Sequence, residues 1–545
     1  MRLRSNLLEN QIPTATLFNR PGLSLEKRLQ KTPKAEDGAG TLFKRRKKKQ
    51  DSNTQIVVES HSPSPRGSLF NRLTKKQEID AQGREMAIQL EPGAGATRGK
   101  HRLAFAGIYL FTLLLYARPN DLIPALGNFP LVKLLAIGVM LIYIGSKSAA
   151  AAKMSIWTRE MTMLLAIAML GLLMMPFAAS PRASLDALTD NFLKTVIIFI
   201  LMVNLIDTRR RIYSMWKLVV VCGVWLGIAA IRSYAKGEFT AQGLRIEGLV
   251  GGMFGNPNDL ATALDLVLPF AILLTISSRG LARLFYLGCA AVLTIGVLVT
   301  LSRGGFLGLI MSSGVLLWKL GRGSRLKTAL GAALICGILF AVMPGGYGGR
   351  IATILNNDQD QTGSAQMRRE LMERAAQVAI SHPIIGVGMG NFFIYSIHDK
   401  AAHNAYLEIA AELGVFGLLA YLIVILSPLR SLYRIEKQTL ARLTKSEKEL
   451  YWLSVSIQAS LIAYMVCSFF SSIQYLWYLY YTAAYAVALR QIHYAERAEV
   501  VSASSNSPVL GEIVVAGATP GKPIFGANLA KGALWPDYRM RPRTG

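Results

Sequence analysis

Apolar runs long enough to approach the thickness of a bilayer recur along most of this chain, and no other feature limits its fold so strongly. They fall near 103–117, 130–146, 161–178, 192–206, 217–233, 258–277, 282–301, 304–318, 326–344, 405–427, 451–471 and 474–489. A helix needs roughly 20 mostly apolar residues to cross the hydrocarbon layer. Backbone polar groups in lipid must also be satisfied within the element itself. The pattern therefore predicts an all-α, polytopic membrane bundle of about twelve transmembrane helices. Composition agrees, since 52% of the 545 residues are hydrophobic and 17% are charged, against about 25% charged in an ordinary soluble domain. A cytosolic enzyme and a wholly disordered chain are both excluded.

The formal net charge of +27 would point to nucleic acid in a soluble protein. In a membrane bundle it marks cytoplasmic connections instead, and no nucleic-acid partner is expected. Lys and Arg do gather in alternate connections: Lys147, Lys153 and Arg159; Arg209, Arg210, Arg211 and Lys217; Arg279 and Arg283; Lys319, Arg322, Arg325 and Lys327; and Arg430, Arg434, Lys437, Arg442, Lys445 and Lys448. The other connections carry isolated cations, Arg118, Arg182 and Arg303. The positive-inside rule then sets both termini in the cytoplasm. Residues 1–102 hold 21 Lys and Arg against 10 Asp and Glu and read as a disordered basic cytoplasmic tail. Its run from Lys44 to Lys49 suits a solvated tail or anionic lipid. The segment 103–490 reads as the membrane domain, and 491–545 as a second cytoplasmic tail. The opening MRLRSNLLENQIP lacks an apolar stretch of signal-peptide type. All four cysteines lie in apolar runs, so no disulfide framework is expected.

Two connections on the outer side are long, 234–257 and 345–404, and loops of this length in a compact bundle are usually functional. In the second, Met367, Leu371, Ala375 and Val378 recur at helical spacing, which predicts an amphipathic helix on the outer membrane face. Three patterns could carry chemistry. In LSRGGFLGL, Arg303 stands in a two-glycine break between apolar runs. An arginine at a membrane boundary must snorkel, pair or face a polar cavity, and the glycines would let a phosphate approach the backbone. In HNAYLEIAAELG, Asn404, Glu408 and Glu412 share one helix face with His403 at its end. Histidine suits proton removal near neutral pH. In LRIEGLVGGMFGNPNDLA, Arg245 precedes a turn and a helix start, a place suited to an anion. GVGMGN at 386–391 lacks the dinucleotide pattern, and His382, His398 and His403 lack metal-site spacing. Neither a metal nor another cofactor is expected.

With SRGG at 302–305, GNPNDLA at 255–261, HPIIGVGMGNF at 382–392 and HNAYLEIAAELGVFGLLAYL at 403–422 in order, the chain resembles the O-antigen ligase and polymerase superfamily over roughly 240–430. The resemblance implies a bacterial inner-membrane glycosyltransferase. It would take a glycan from undecaprenyl pyrophosphate at the periplasmic face and pass it to lipid A core, a growing polysaccharide or sometimes a protein. It implies that His403 deprotonates the acceptor hydroxyl, oriented by Glu408, and that Arg303 and Arg245 bind the donor pyrophosphate. Arg368, Arg369 and Arg374 would assist, and Asn404 and Glu412 would complete the site. It also implies a metal-independent, inverting reaction in which cationic side chains stabilise the leaving group. Expected partners are that lipid-linked donor, a glycan or lipid A core acceptor, membrane lipids and other polysaccharide-assembly proteins. The resemblance covers ligases and polymerases alike.

Two other classes fit a chain of this kind. A multi-pass transporter of an envelope precursor would show polar sites near the membrane midplane and internal repeats. The polar cluster here lies at the outer rim, with Asp265 as the main exception. A noncatalytic scaffold of an envelope complex would tolerate every substitution at that rim.

Overall fold

Each of the twelve apolar runs folds as a helix, and most begin at a side chain able to cap one. The computed structural model describes residues 101–119, 123, 131–149, 156–239, 246, 252–341, 364–440 and 444–505. The expectations for the basic tail before His101, for Arg245, for residues 342–363 and for the C-terminal stretch after Ser505 lie outside the described residues. The helices are α1 Arg102–Ala117, α2 Leu131–Ala149, α3 Arg159–Met174, α4 Pro181–Leu205, α5 Arg209–Ala235, α6 Pro257–Ser277 and α7 Gly280–Val299. They continue with α8 Arg303–Leu320, α9 Arg325–Ala341, α10 Ser364–Ser381, α11 Ala405–Leu440, α12 Lys445–Cys467 and α13 Trp477–Ser505. Among the described residues the extended structure is one antiparallel bridge between Phe239 and Ile246.

Capping explains the starts. Thr158, Ser180, Thr208 and Thr444 each accept a hydrogen bond from a backbone N–H three residues on, which satisfies a donor that the first turn leaves open. Asn256 caps α6 ahead of Pro257, and Ser302 caps α8.

Eight of these helices are long and apolar enough to cross a membrane: α2 to α7, α11 and α12. The other four of the twelve fall short for visible reasons. α1 and α9 have 16 and 17 residues. The 18 residues of α8 include Arg303 and Lys319. The apolar half of α13 is rich in tyrosine and reaches Arg490. α13 also runs on to Ser505, through the start of the stretch read from sequence as a tail.

α12 lies at the centre, packed against α6, α8, α11 and α13, and α6 and α12 are the most enclosed of the eight candidate spans. Small residues allow that closeness. A Cβ on Gly308 of α8 would stand 2.5 Å from the Cys467 sulfur, and one on Gly305 would stand 2.5 Å from the Ala261 Cβ of α6.

The helix directions give the bundle two chemically different ends. One carries ion pairs, buried or partly buried, between distant elements. Arg490 makes a bidentate pair with Glu160 at 2.7 and 2.8 Å. Glu436 receives Lys319 at 2.5 Å and Arg322 at 2.9 Å, and Arg209 holds Glu496 and Glu449. The N-termini of α6, α8 and α11 lie at the other end. Along α8, Arg303 and Lys319 lie 16 residues and so about 24 Å apart at 1.5 Å per residue.

The amphipathic pattern at 367–378 folds as α10, with Leu371, Ala375 and Val378 buried, the last two in a small cluster with Val387, Phe392, Ala402 and Ala411. That cluster fastens α10 to the first turns of α11.

Candidate active site at the Arg303 and His403 end

α11 is broken at Gly414, where φ is 65° and ψ is −165°. The break releases carbonyl groups that a continuous helix would use internally, and the glycine-rich segment 383–391 takes them up. Val387 N donates to Ala411 O at 2.9 Å and Gly388 N to Glu412 O at 2.9 Å, while Val415 N donates to Pro383 O at 2.8 Å. The approach requires glycine on both sides. A Cβ on Gly386 would stand 2.2 Å from Glu412 O, and one on Gly414 would stand 2.3 Å from Ile384 O. Both have positive φ, the region that L side chains avoid. GVGMGN is thus a clasp on α11 and not a nucleotide loop.

His403 precedes α11 in a left-handed conformation with φ 53°, and its side chain is half-buried. A non-glycine residue there costs on the order of 1–3 kcal/mol, so its surroundings must impose it. They do so from both sides. On one side, Ala402 N donates to Glu408 Oε2 at 2.8 Å. On the other, Asn404 Oδ1 accepts from Tyr406 N and Leu407 N at 3.0 Å each, and Ala405 N donates to Ser468 O at 2.9 Å. Asn404 is therefore the cap of α11, almost fully buried.

Glu408 and Glu412 project from successive turns of α11, and both are buried. Hydrogen bonds offset the cost of enclosing these oxygens. Glu408 accepts from Ala402 N, from Ser472 Oγ and, at 2.9 Å, from Gln474 Nε2. Glu412 accepts from Tyr475 Oη at 2.7 Å and from Phe392 N at 3.1 Å. These donors come from the turn between α12 and α13, from Ala402 ahead of α11 and from Phe392 just after the clasp. Neutral hydroxyl, amide and backbone groups thus meet both carboxylates.

Arg303 is the first residue of α8 and half-buried. It follows Leu301, another left-handed residue with φ 54°. Ser302 Oγ accepts from Gly305 N at 3.2 Å and donates to Asn258 Oδ1 at 2.9 Å, which ties the starts of α8 and α6 together. The two glycines after Arg303 do not open a space for phosphate. A Cβ on Gly304 would stand 2.8 Å from the Phe470 Cβ, so protein atoms fill that room, as Ala261 does at Gly305.

The residues from Ser468 to Phe470 therefore touch both halves of the site: Ser468 holds Ala405, and Phe470 covers Gly304. Arg303 and His403 share one end of the bundle, where the N-termini of α6, α8 and α11 contribute partial positive charge.

The α10 arginines diverge. Arg369 is exposed and pairs with Glu373 at 2.9 Å. Arg374 donates to Tyr395 O at 2.7 Å, which fastens α10 to the short helix Phe392–Tyr395 after the clasp. Arg368 is half-buried. Beside the α12–α13 turn lies a cavity of about 310 Å3, with Leu114 and Leu115 of α1, Arg118, Lys194, Tyr475 and Trp477 among its walls.

The sequence reading missed Ser472, Gln474 and Tyr475. The available signal was the polar pair Ser471 and Ser472 with Gln474, interrupting two apolar runs.

Residues 288–422 match a family model described as O-antigen ligase. The match takes in Arg303, the α10 arginines, His403, Asn404, Glu408 and Glu412, and ends before the α12–α13 turn. No curated protein matches the chain.

Proposed function

With the O-antigen ligase match as premise, which supports the O-antigen ligase and polymerase superfamily, we propose that this chain is a metal-independent, inverting glycosyltransferase of bacterial surface-polysaccharide assembly. Its donor is a glycan on a polyprenyl pyrophosphate. Its acceptor is a hydroxyl of lipid A core or of a growing glycan. The reaction takes place at the periplasmic face of the inner membrane, and both termini are cytoplasmic.

One observation carries this reading. The turn Ser468–Phe470 contacts the His403 turn on one side and Gly304, next to Arg303, on the other. The segments that carry the proposed base and the proposed cation, 100 residues apart in number, thus pack on one turn. The opposite end holds Arg209, Lys319, Arg322 and Arg490, a distribution that favours a cytoplasmic position for that end.

His403 removes the proton from the acceptor hydroxyl. The oxygen then attacks the anomeric carbon on the face opposite the pyrophosphate, and the bond from that carbon to the phosphate oxygen breaks. The pyrophosphate leaves on its lipid carrier, its charge met by Arg303 and Arg245, with Arg368, Arg369 and Arg374 nearby in the sequence of the outer loop. Guanidinium suits this role because it stays charged and offers paired donors to phosphate oxygens. Glu408 orients the base. The cavity walled by leucines, Arg118, Lys194 and Asp190 supports lateral entry of a lipid tail. A transporter is not favoured by the O-antigen ligase match.

The test is transfer by purified protein in lipid. His403→Ala is expected to bind donor as the parent does and to lose transfer by about 10²-fold or more, the scale of general-base catalysis. Normal turnover by that variant would remove His403 as the base.

A further inference from the structure

The turn between α12 and α13 lies beyond the matched segment, yet it supplies three of the side-chain donors that hold the α11 carboxylates. We propose that Ser472, Gln474 and Tyr475, acting through Glu408 and Glu412, are positioning residues that fix the His403 turn for proton removal. This rests on the reading of His403 as the base and adds to it the part of the protein that aims it.

The chain of contacts is short. Ser472 Oγ and Gln474 Nε2 donate to the Glu408 carboxylate, whose Oε2 also accepts from Ala402 N at 2.8 Å. Ala402 is the residue immediately before His403. Tyr475 Oη donates to Glu412 at 2.7 Å, and the same carboxylate receives Phe392 N at 3.1 Å, so the clasp is held by the same turn. The turn itself has firm footing. Tyr480 Oη donates to Gln474 O at 2.6 Å, and the Tyr475 ring meets Phe192 of α4 edge-on with centroids 5.8 Å apart. Gln474 and Tyr475 are both buried.

Energetics favour a positioning role over simple packing. A left-handed His403 is held against a conformational cost, and the hydrogen bond on its N-terminal side ends on Glu408. If Glu408 loses its anchors on the turn, Ala402 N follows a side chain free to rotate, and the imidazole loses its fixed aim. A displacement of about 1 Å in a catalytic group can cost about 10²-fold in rate.

The experiment uses the full-length protein in lipid, with donor at varied concentration and a melting measurement on each variant. Ser472→Ala and Tyr475→Phe each delete one hydroxyl with little change in volume. Both are expected to lower kcat by about 10- to 100-fold, to leave the donor KM within about twofold, and to melt where the parent melts, the pattern of an interaction felt in the chemical step. Ser472→Thr, which keeps the hydroxyl, is expected to recover most of the rate. Parental kcat in both deletions, with His403→Ala inactive, would overturn the positioning role and leave the base intact. A loss of rate that tracks a fall in melting temperature, without rescue by threonine, would overturn it as well. An active His403→Ala would instead defeat the reading on which the proposal stands.

Discussion

At the scale of single residues, the side chains proposed to act in the reaction differ from those that hold the frame. Arg303 begins a helix at the shared end, half-buried. For Arg303→Ala we expect a loss of donor affinity or transfer of about 10²- to 10³-fold, comparable with removing one preorganised charge-stabilising donor. Arg303→Lys should recover only part of it, because an ammonium cannot make the paired contact. A lysine variant with full activity would show that charge alone suffices. Asn404, by contrast, spends its side-chain oxygen on Tyr406 N and Leu407 N. Asn404→Ala should cost about 0.5–2 kcal/mol as a lost cap, visible in melting.

His403, Glu408 and Glu412 were legible in sequence because helical spacing puts the carboxylates on one face. Ser472, Gln474 and Tyr475 were not, because their link to Glu408 and Glu412 joins segments more than 60 residues apart. No local pattern encodes such a contact. The glycines after Arg303 were read as room for phosphate, and packing against Phe470 and Ala261 shows why adjacency in sequence misled.

At the scale of elements, apolar runs located every one of the twelve helices, since length and hydropathy are properties that a single segment carries. Boundaries were less visible where polar residues continue a helix. α4 begins at Pro181, well before the apolar run at 192, because its first turns carry Ser184, Asp186, Thr189 and Asp190 and pass through a π-helical stretch at Ala187–Phe192. α11 runs past the apolar run to Leu440, and its buried Glu436 stays helical by pairing with Lys319 and Arg322.

The break at Gly414 depends on tertiary docking of the clasp. Gly386→Ala should therefore destabilise the protein, since a Cβ there adds a left-handed cost of about 1–2 kcal/mol to a contact of 2.2 Å with Glu412 O. Gly145→Ala in α2 meets no atom within 4 Å and should be neutral or stabilising by up to about 1 kcal/mol. Thermal melting of the two variants side by side checks the contrast. Equal melting temperatures would mean that the clasp is not held as described.

At the scale of the whole molecule, the two ends do different work. The end with Glu160, Arg490, Glu436 and Arg209 is held by ion pairs between distant helices. Removing Glu160 leaves the largely buried Arg490 guanidinium without its counter-ion. Glu160→Ala should thus cost about 3–5 kcal/mol, whereas replacing both Glu160 and Arg490 by apolar residues should cost much less. A double variant as unstable as the single one would contradict that account.

The end with Arg303 and His403 carries the proposed reaction, and its exposure to the outer side is the claim on which the donor, the acceptor and the mechanism all depend. The most direct measurement is labelling of single cysteines, introduced at Arg303, His403, Arg279 and Arg322 in a chain freed of its four native cysteines, with a reagent that cannot cross the membrane. Positions 303 and 403 are expected to react from the periplasmic side of intact cells, and positions 279 and 322 only after the membrane is opened. Reaction of 303 and 403 from opposite sides, or of both only after opening, would contradict a single outward site for this protein.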